Sequence, residues 1–124
     1  MQWLLVAVGG AVGAMARFGV AEIVQRLAPP PFPWGTFVIN LSGCFVFGVL
    51  AGWSELRTPL SPEARALLLV GVLGGFTTFS SFGYETWLLL RDGRGLLAAV
   101  NAGGQMMLGV ALVWVGWTFV RALS

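Results

Sequence analysis

The sequence predicts an all-α membrane protein with four transmembrane helices, the third broken mid-membrane. Three observations carry this. Charged residues make up only 10% of the 124 positions, against about 25% in an ordinary soluble domain. Four apolar runs, each close to the ~20 residues a helix needs to cross the hydrocarbon core, are separated by short polar or proline-rich connections. The third run is interrupted by Gly74-Gly75-Phe76-Thr77-Thr78-Phe79-Ser80-Ser81-Phe82-Gly83. The runs place helices at about 3–27, 35–53, 64–90 and 96–121 in a single membrane domain covering residues 1–124.

The same composition excludes several function classes. The seven arginines, from Arg17 to Arg121, are too scattered to form a nucleic-acid patch. With no histidine and only Cys44, there is no zinc-type cluster and no intrachain disulfide. The first apolar run starts at once, without a basic leader. It reads as a span rather than a cleaved signal.

In the first segment, small residues fall at helical spacing. Gly9 and Gly13 form a GxxxG pair, and Gly10 and Ala14 a looser one, which lets a second helix approach closely. Arg17 lies within the span. It is either a fixed positive charge near an anion path or an arginine that snorkels or pairs with a carboxylate. Glu22 reads as interfacial. Four prolines, Pro29, Pro30, Pro31 and Pro33, then end the helix, and Trp34 follows as an interfacial anchor.

The second segment carries Thr36, Asn40 and Gly43 on one helical face. Asn40 is an amide deep in an apolar helix. It serves either as a hydrogen bond between helices or as a polar lining that offers N–H donors to an anion. Gly48 and Gly52 read as packing. Ser61-Pro62-Glu63 resembles a helix start, with a capping serine, proline at the first position and an acid in the first turn.

The third segment holds the break, expected to unwind from Thr77 to Ser81. Glycine and small hydroxyl residues disfavour a continuous helix. In lipid, unwound backbone survives only where protein buries it or where it lines a polar cavity. Two half-helices would present carbonyls from one side, suited to a cation, and N–H groups from the other, suited to an anion. Glu85 follows one turn later; it either accepts from Ser81 or steers ions, or is simply a carboxylate satisfied by a neighbouring hydroxyl. Arg91-Asp92-Gly93-Arg94-Gly95 is a tight turn. In the fourth segment Asn101, Gln105 and Gly109 line up at helical spacing, a pattern that leans towards a water-lined face. Trp114 and Trp117 mark the far interface.

Four spans put Arg57, Arg65 and Arg121 on one side and Arg26, Arg91 and Arg94 on the other. The positive-inside rule needs an imbalance, and there is none. Such a chain is expected to insert both ways, so that two copies pair antiparallel.

The segments GGAVGAMARF (Gly9 to Phe18), GTFVINLSG (Gly35 to Gly43) and GGFTTFSSFGYE (Gly74 to Glu85) resemble the CrcB/Fluc fluoride channels. The resemblance implies a fluoride-selective channel, not an enzyme. It would be an antiparallel, dual-topology homodimer in the bacterial inner membrane, exporting cytoplasmic fluoride by passive electrodiffusion through two pores and protecting against fluoride toxicity. By resemblance, Phe79 and Phe82 line the pores with their ring edges and Asn40 lies beside them. Thr36, Ser80, Ser81 and Glu85 match polar pore positions. Gly74 and Thr77 match residues whose backbone carbonyls hold a structural sodium ion at the dimer centre, and Arg17 matches a first-segment arginine. The fourth segment departs from the family. Asn101 and Gln105 stand where a tyrosine and a serine are usual, and would form the fourth-helix polar track.

Other readings are weaker. A small cation exporter needs a mid-span carboxylate in its first helix, where this chain has Arg17. A scaffold subunit leaves Phe79, Phe82, Asn40 and the hydroxyl cluster without a role. An enzyme lacks a nucleophile–base pair.

Overall fold

The computed structural model describes residues 1–124 and is helical throughout, with four helical segments long and apolar enough to cross a membrane. We label the helices α1 (Gln2–Leu27), α2 (Trp34–Leu56), α3 (residues 62–76), α4 (Phe79–Arg91) and α5 (Gly95–Ala122). The third span comprises α3 and α4 and is interrupted between them. The break is shorter than the sequence suggests. Only Thr77 and Thr78 are extended, and Ser80 and Ser81 already belong to α4.

Most of α3 is wound as a π-helix, over Ala66–Leu73. Nothing in that apolar run signals this winding. Single π-turns concentrate at functional sites, and this longer one leads directly into the break.

Two close helix pairs organise the molecule. α1 packs along α3, and α2 along α5. Glycines set both distances, as their spacing predicts. A Cβ on Gly9 would lie 2.5 Å from the Leu67 carbonyl oxygen, and one on Gly75 would lie 2.5 Å from that of Gly10. Across α2 and α5, a Cβ on Gly48 would lie 2.8 Å from the Val113 carbonyl carbon, and one on Gly116 would lie 2.9 Å from Val49 N.

The ends follow the expected chemistry. Ser61 Oγ accepts from Ala64 N at 3.1 Å, with Pro62 at the first helical position. Gly93 takes φ +73° in the turn after α4, a conformation that side chains disfavour. Phe32, Trp34 and Phe37 cluster where the proline connection enters α2. Glu22 pairs with Arg26 at 3.2 Å on an exposed surface, as an interfacial carboxylate should.

Trp53/Arg57, Trp87/Arg91 and Trp117/Arg121 each set a guanidinium over an indole one turn back, at 5.3, 5.2 and 5.9 Å from the ring centroid. Each pair lies at a helix C-terminus, where a cation also meets the negative end of the helix dipole. Arg57 additionally binds the Leu123 carbonyl and Ser124 Oγ. Trp117 Nε1 donates to Glu55 at 3.0 Å. These contacts hold the second connection and the C-terminus at one end of the bundle.

Candidate functional site

The face of α2 that carries Thr36, Asn40 and Gly43 lies against the interrupted third span. Each residue meets a different part of it. Thr36 Oγ1 donates to Glu85 Oε1 at 2.8 Å. Asn40 contacts Thr78. Gly43 leaves room for the Thr77 side chain, which a Cβ there would overlap.

The break exchanges backbone hydrogen bonds for side-chain ones. Thr77 N still bonds to Leu73 O at 2.9 Å, closing α3. The next amide turns away: Thr78 N donates to Asn40 Oδ1 at 2.8 Å, and Asn40 Nδ2 donates back to Thr78 O at 3.0 Å. One carboxamide thus pairs with both polar groups of one residue. That satisfies backbone which lipid could not. The carbonyls of Gly74, Gly75 and Phe76 consequently receive no backbone N–H. They stand free at the negative end of α3.

Arg17 reaches the same place from α1. Its Nη1 donates to Thr77 O at 3.3 Å. Its charge thus lies on the break, with no carboxylate partner among its hydrogen bonds. On the far side Thr78 caps α4. Its Oγ1 accepts from Ser81 N at 3.3 Å and donates to Ser81 Oγ at 3.0 Å. Thr78 is the site residue that the sequence reading passed over, although a threonine just ahead of a helical run is a capping signal.

Two cavities flank the break, and Thr78 lines both. One, of about 430 Å³, is mainly apolar and is bordered by Asn40, Phe79, Phe82, Gln105 and Cys44. The other, of about 370 Å³, contains Arg17, Thr36, Ser81 and Glu85. Phe79 and Phe82 lie one turn apart on α4 with ring centroids at 5.6 Å. Phe79 is 83% exposed on the single chain. Ser80 is also exposed and stands apart from the other hydroxyls.

Two expectations need correction. Glu85 accepts from Thr36, a neighbouring hydroxyl across the helix interface, and not from Ser81. Its Oε2 is shielded and has no partner. Asn101 and Gln105 do not make a water-lined face on the single chain. They are 0% and 9% exposed and bond to protein. Gln105 Nε2 donates to Asn101 Oδ1 at 2.8 Å, and Asn40 Nδ2 donates to Gln105 Oε1 at 2.7 Å. Asn101 Nδ2 donates to Thr86 Oγ1 at 2.9 Å, and Thr86 to Phe82 O at 2.7 Å. The amides face inward because α5 packs against both α2 and α4. Spacing alone shows that they share a face, not which way it points.

A four-span membrane protein whose third span is interrupted, with polar side chains gathered on the exposed backbone, belongs to the class in which solutes meet protein at a broken helix. The match to known proteins is specific within that class. The family model described as "CrcB-like protein, Camphor Resistance (CrcB)" matches residues 4–117, and the chain belongs to this family. It is similar to proteins named "Fluoride-specific ion channel FluC". The one from Nitratidesulfovibrio vulgaris (strain Miyazaki F) is 48% identical over 91% of each chain. The one from Hyphomonas neptunium is 45% identical over 98% of this chain and 96% of its own. That from Rhizobium leguminosarum bv. trifolii is 43% identical over 100% and 99%.

Proposed function

We propose that this protein is a fluoride-selective channel, not an enzyme. It lets cytoplasmic fluoride leave by passive electrodiffusion across the bacterial inner membrane, and so protects against fluoride toxicity. The relatives' name points to the ion. The observation that carries the reading is the cluster of hydroxyl and amide groups around the break: Thr36, Asn40, Thr78 and Ser81, with Phe79 and Phe82 alongside and Ser80 exposed on α4. A small, strongly hydrated anion needs its water replaced by donors, and hydroxyl and amide groups are donors. Phenyl rings add a positive edge without a full charge. Weak, repeated contacts allow an ion to leave as well as enter. Glu85, shielded and half-partnered beside Ser81, would tune this path.

The unit is proposed to be an antiparallel homodimer with two pores. A single chain buries only 19 of 124 residues, too few to enclose a path. The mainly apolar cavity opens beside the exposed ring of Phe79. A second copy would cover both. The balanced arginines suit insertion in both directions. Single-cysteine variants on one connection are therefore expected to label from both sides of the membrane. Labelling from one side only would sink dual topology.

A structural sodium ion at the dimer centre belongs to the same proposal. The Gly74 carbonyl fits, being free of any backbone donor. The Thr77 carbonyl fits through its second lone pair, since Arg17 takes the first. These oxygens fall short of a full cation shell, so the partner would supply the rest. When bound, the ion supplies positive charge that lowers the cost of a nearby anion.

Efflux from liposomes, read with fluoride and chloride electrodes in parallel, tests the function. Fluoride should leave while chloride stays. Phe79→Ile should slow fluoride by about tenfold, the upper end of what an aromatic quadrupole contact contributes. No fluoride loss from well-folded protein, or equal chloride loss, would refute the reading.

A further inference from the structure

The amides between α2, α4 and α5 form one chain with one polarity. Amide orientation is normally an assignment, made from the hydrogen-bond network. Here backbone at both ends fixes it. The Thr78 N–H can only donate, so Asn40 must present its oxygen there. Asn40 then has only N–H groups left. One goes to Thr78 O and the other to Gln105, which must present its own oxygen. Gln105 Nε2 therefore meets the Asn101 oxygen, and Asn101 Nδ2 meets Thr86. From the opposite end, the Phe82 carbonyl can only accept. Thr86 must donate to it, leaving a lone pair for Asn101. The two ends require the same orientation of every amide.

Asn40 has no donor to spare. A carboxamide has two N–H donors and one carbonyl, and all are occupied: Thr78 O at 3.0 Å, Gln105 Oε1 at 2.7 Å and Thr78 N at 2.8 Å. In this arrangement it has nothing to give an anion. The link to Gln105 is the shortest of the three, and both residues border the larger cavity. It is also the link that can open without unpairing the break itself.

We propose that Gln105 is a positioning residue that holds Asn40 closed on Thr78, and that release of this link is what offers an Asn40 N–H to a passing ion. Gln105 thereby acts as a brake set by this chain's own fourth helix. The proposal rests on the channel reading above, but its mechanical half does not.

Gln105→Met roughly keeps the volume, replaces the strong amide acceptor with a weak thioether and removes the donor to Asn101. Gln105→Glu keeps the acceptor, adds negative charge and removes the donor to Asn101. Hydrogen exchange of the Asn40 carboxamide, followed by NMR in detergent, should be roughly fivefold faster in Gln105→Met, the equivalent of one ordinary hydrogen bond. Fluoride efflux should rise by a similar factor in Gln105→Met and fall in Gln105→Glu. A merely structural role would lower efflux in both. Equal exchange rates in wild type and Gln105→Met overturn the proposal. So does efflux that falls or stays unchanged in Gln105→Met while the wild type conducts. A wild type that releases no fluoride removes the channel reading, and with it the brake. The exchange rates, which need no ion, then still report whether Gln105 holds Asn40. Should Gln105→Met fail to fold, Gln105→Ser, also without an acceptor reaching Asn40, is read in its place.

Discussion

Asn40→Asp is expected to abolish fluoride efflux. The substitution is nearly isosteric, so its effect is chemical. Aspartate has no N–H, and the two donations to Thr78 O and Gln105 Oε1 become oxygen facing oxygen. Each buried acceptor left unpaired costs about 1–3 kcal/mol. A carboxylate at mid-membrane costs about 2.5–3.5 kcal/mol more on insertion scales. The larger consequence is for the ion. A fixed negative charge about 4 Å from an anion raises its energy by about 4 kcal/mol at an effective dielectric near 20. That is close to a thousandfold in occupancy. Asn40→Ala is the comparison, because it removes the donors without adding charge. It should lower efflux less than the aspartate does. Efflux from Asn40→Asp near the wild-type rate would remove Asn40 from the ion path. Equal losses in both variants would show that pairing to Thr78 matters and charge does not.

The residues differ in how legible this site was beforehand. Helix periodicity put Thr36, Asn40 and Gly43 on one face, and that face does meet the third span. The glycine spacing in α1 and α2 predicted close helix approach, and the backbones do come together there. Composition also located the break, because three glycines and four hydroxyls between residues 74 and 83 compete with helix in a run that is otherwise apolar. Its extent was not legible. Thr78 caps α4 so promptly that Ser80 and Ser81 stay helical, and a capping bond depends on the exact turn at which the chain re-enters the helix. The π-winding of Ala66–Leu73, where the third span packs along α1, was hidden for a related reason: leucine, valine and alanine suit either helix. The inward turn of Asn101 and Gln105 was hidden as well. An amide satisfied by another amide and one exposed to water share the same spacing. Only the position of α5 between α2 and α4 distinguishes them.

Gly13→Val is expected to damage the site from a distance, by moving α1. A Cβ at Gly13 would lie 2.9 Å from Phe76 N and closer still to the Val72 carbonyl oxygen. Both are backbone atoms and cannot rotate away. Valine adds two further methyl groups, so α1 must withdraw from α3. Overpacking of this kind costs about 1–3 kcal/mol, and in lipid it also forfeits the close contact that holds two helices together. Arg17 lies one turn further along the same helix. Its bond to Thr77 O, at 3.3 Å, is already long for a nitrogen–oxygen hydrogen bond. A withdrawal of about 1 Å would break it. The charge would then leave the free carbonyls at the end of α3 without its screening partner. Efflux and thermal stability in detergent should both fall. Gly19→Val is the internal control, since a Cβ at Gly19 meets nothing within 4 Å on this chain. If Gly19→Val is as damaging as Gly13→Val, the loss comes from glycine content or from a partner surface. If only Gly13→Val is damaging, the approach of α1 to the π-wound half of the third span is what keeps Arg17 at the break.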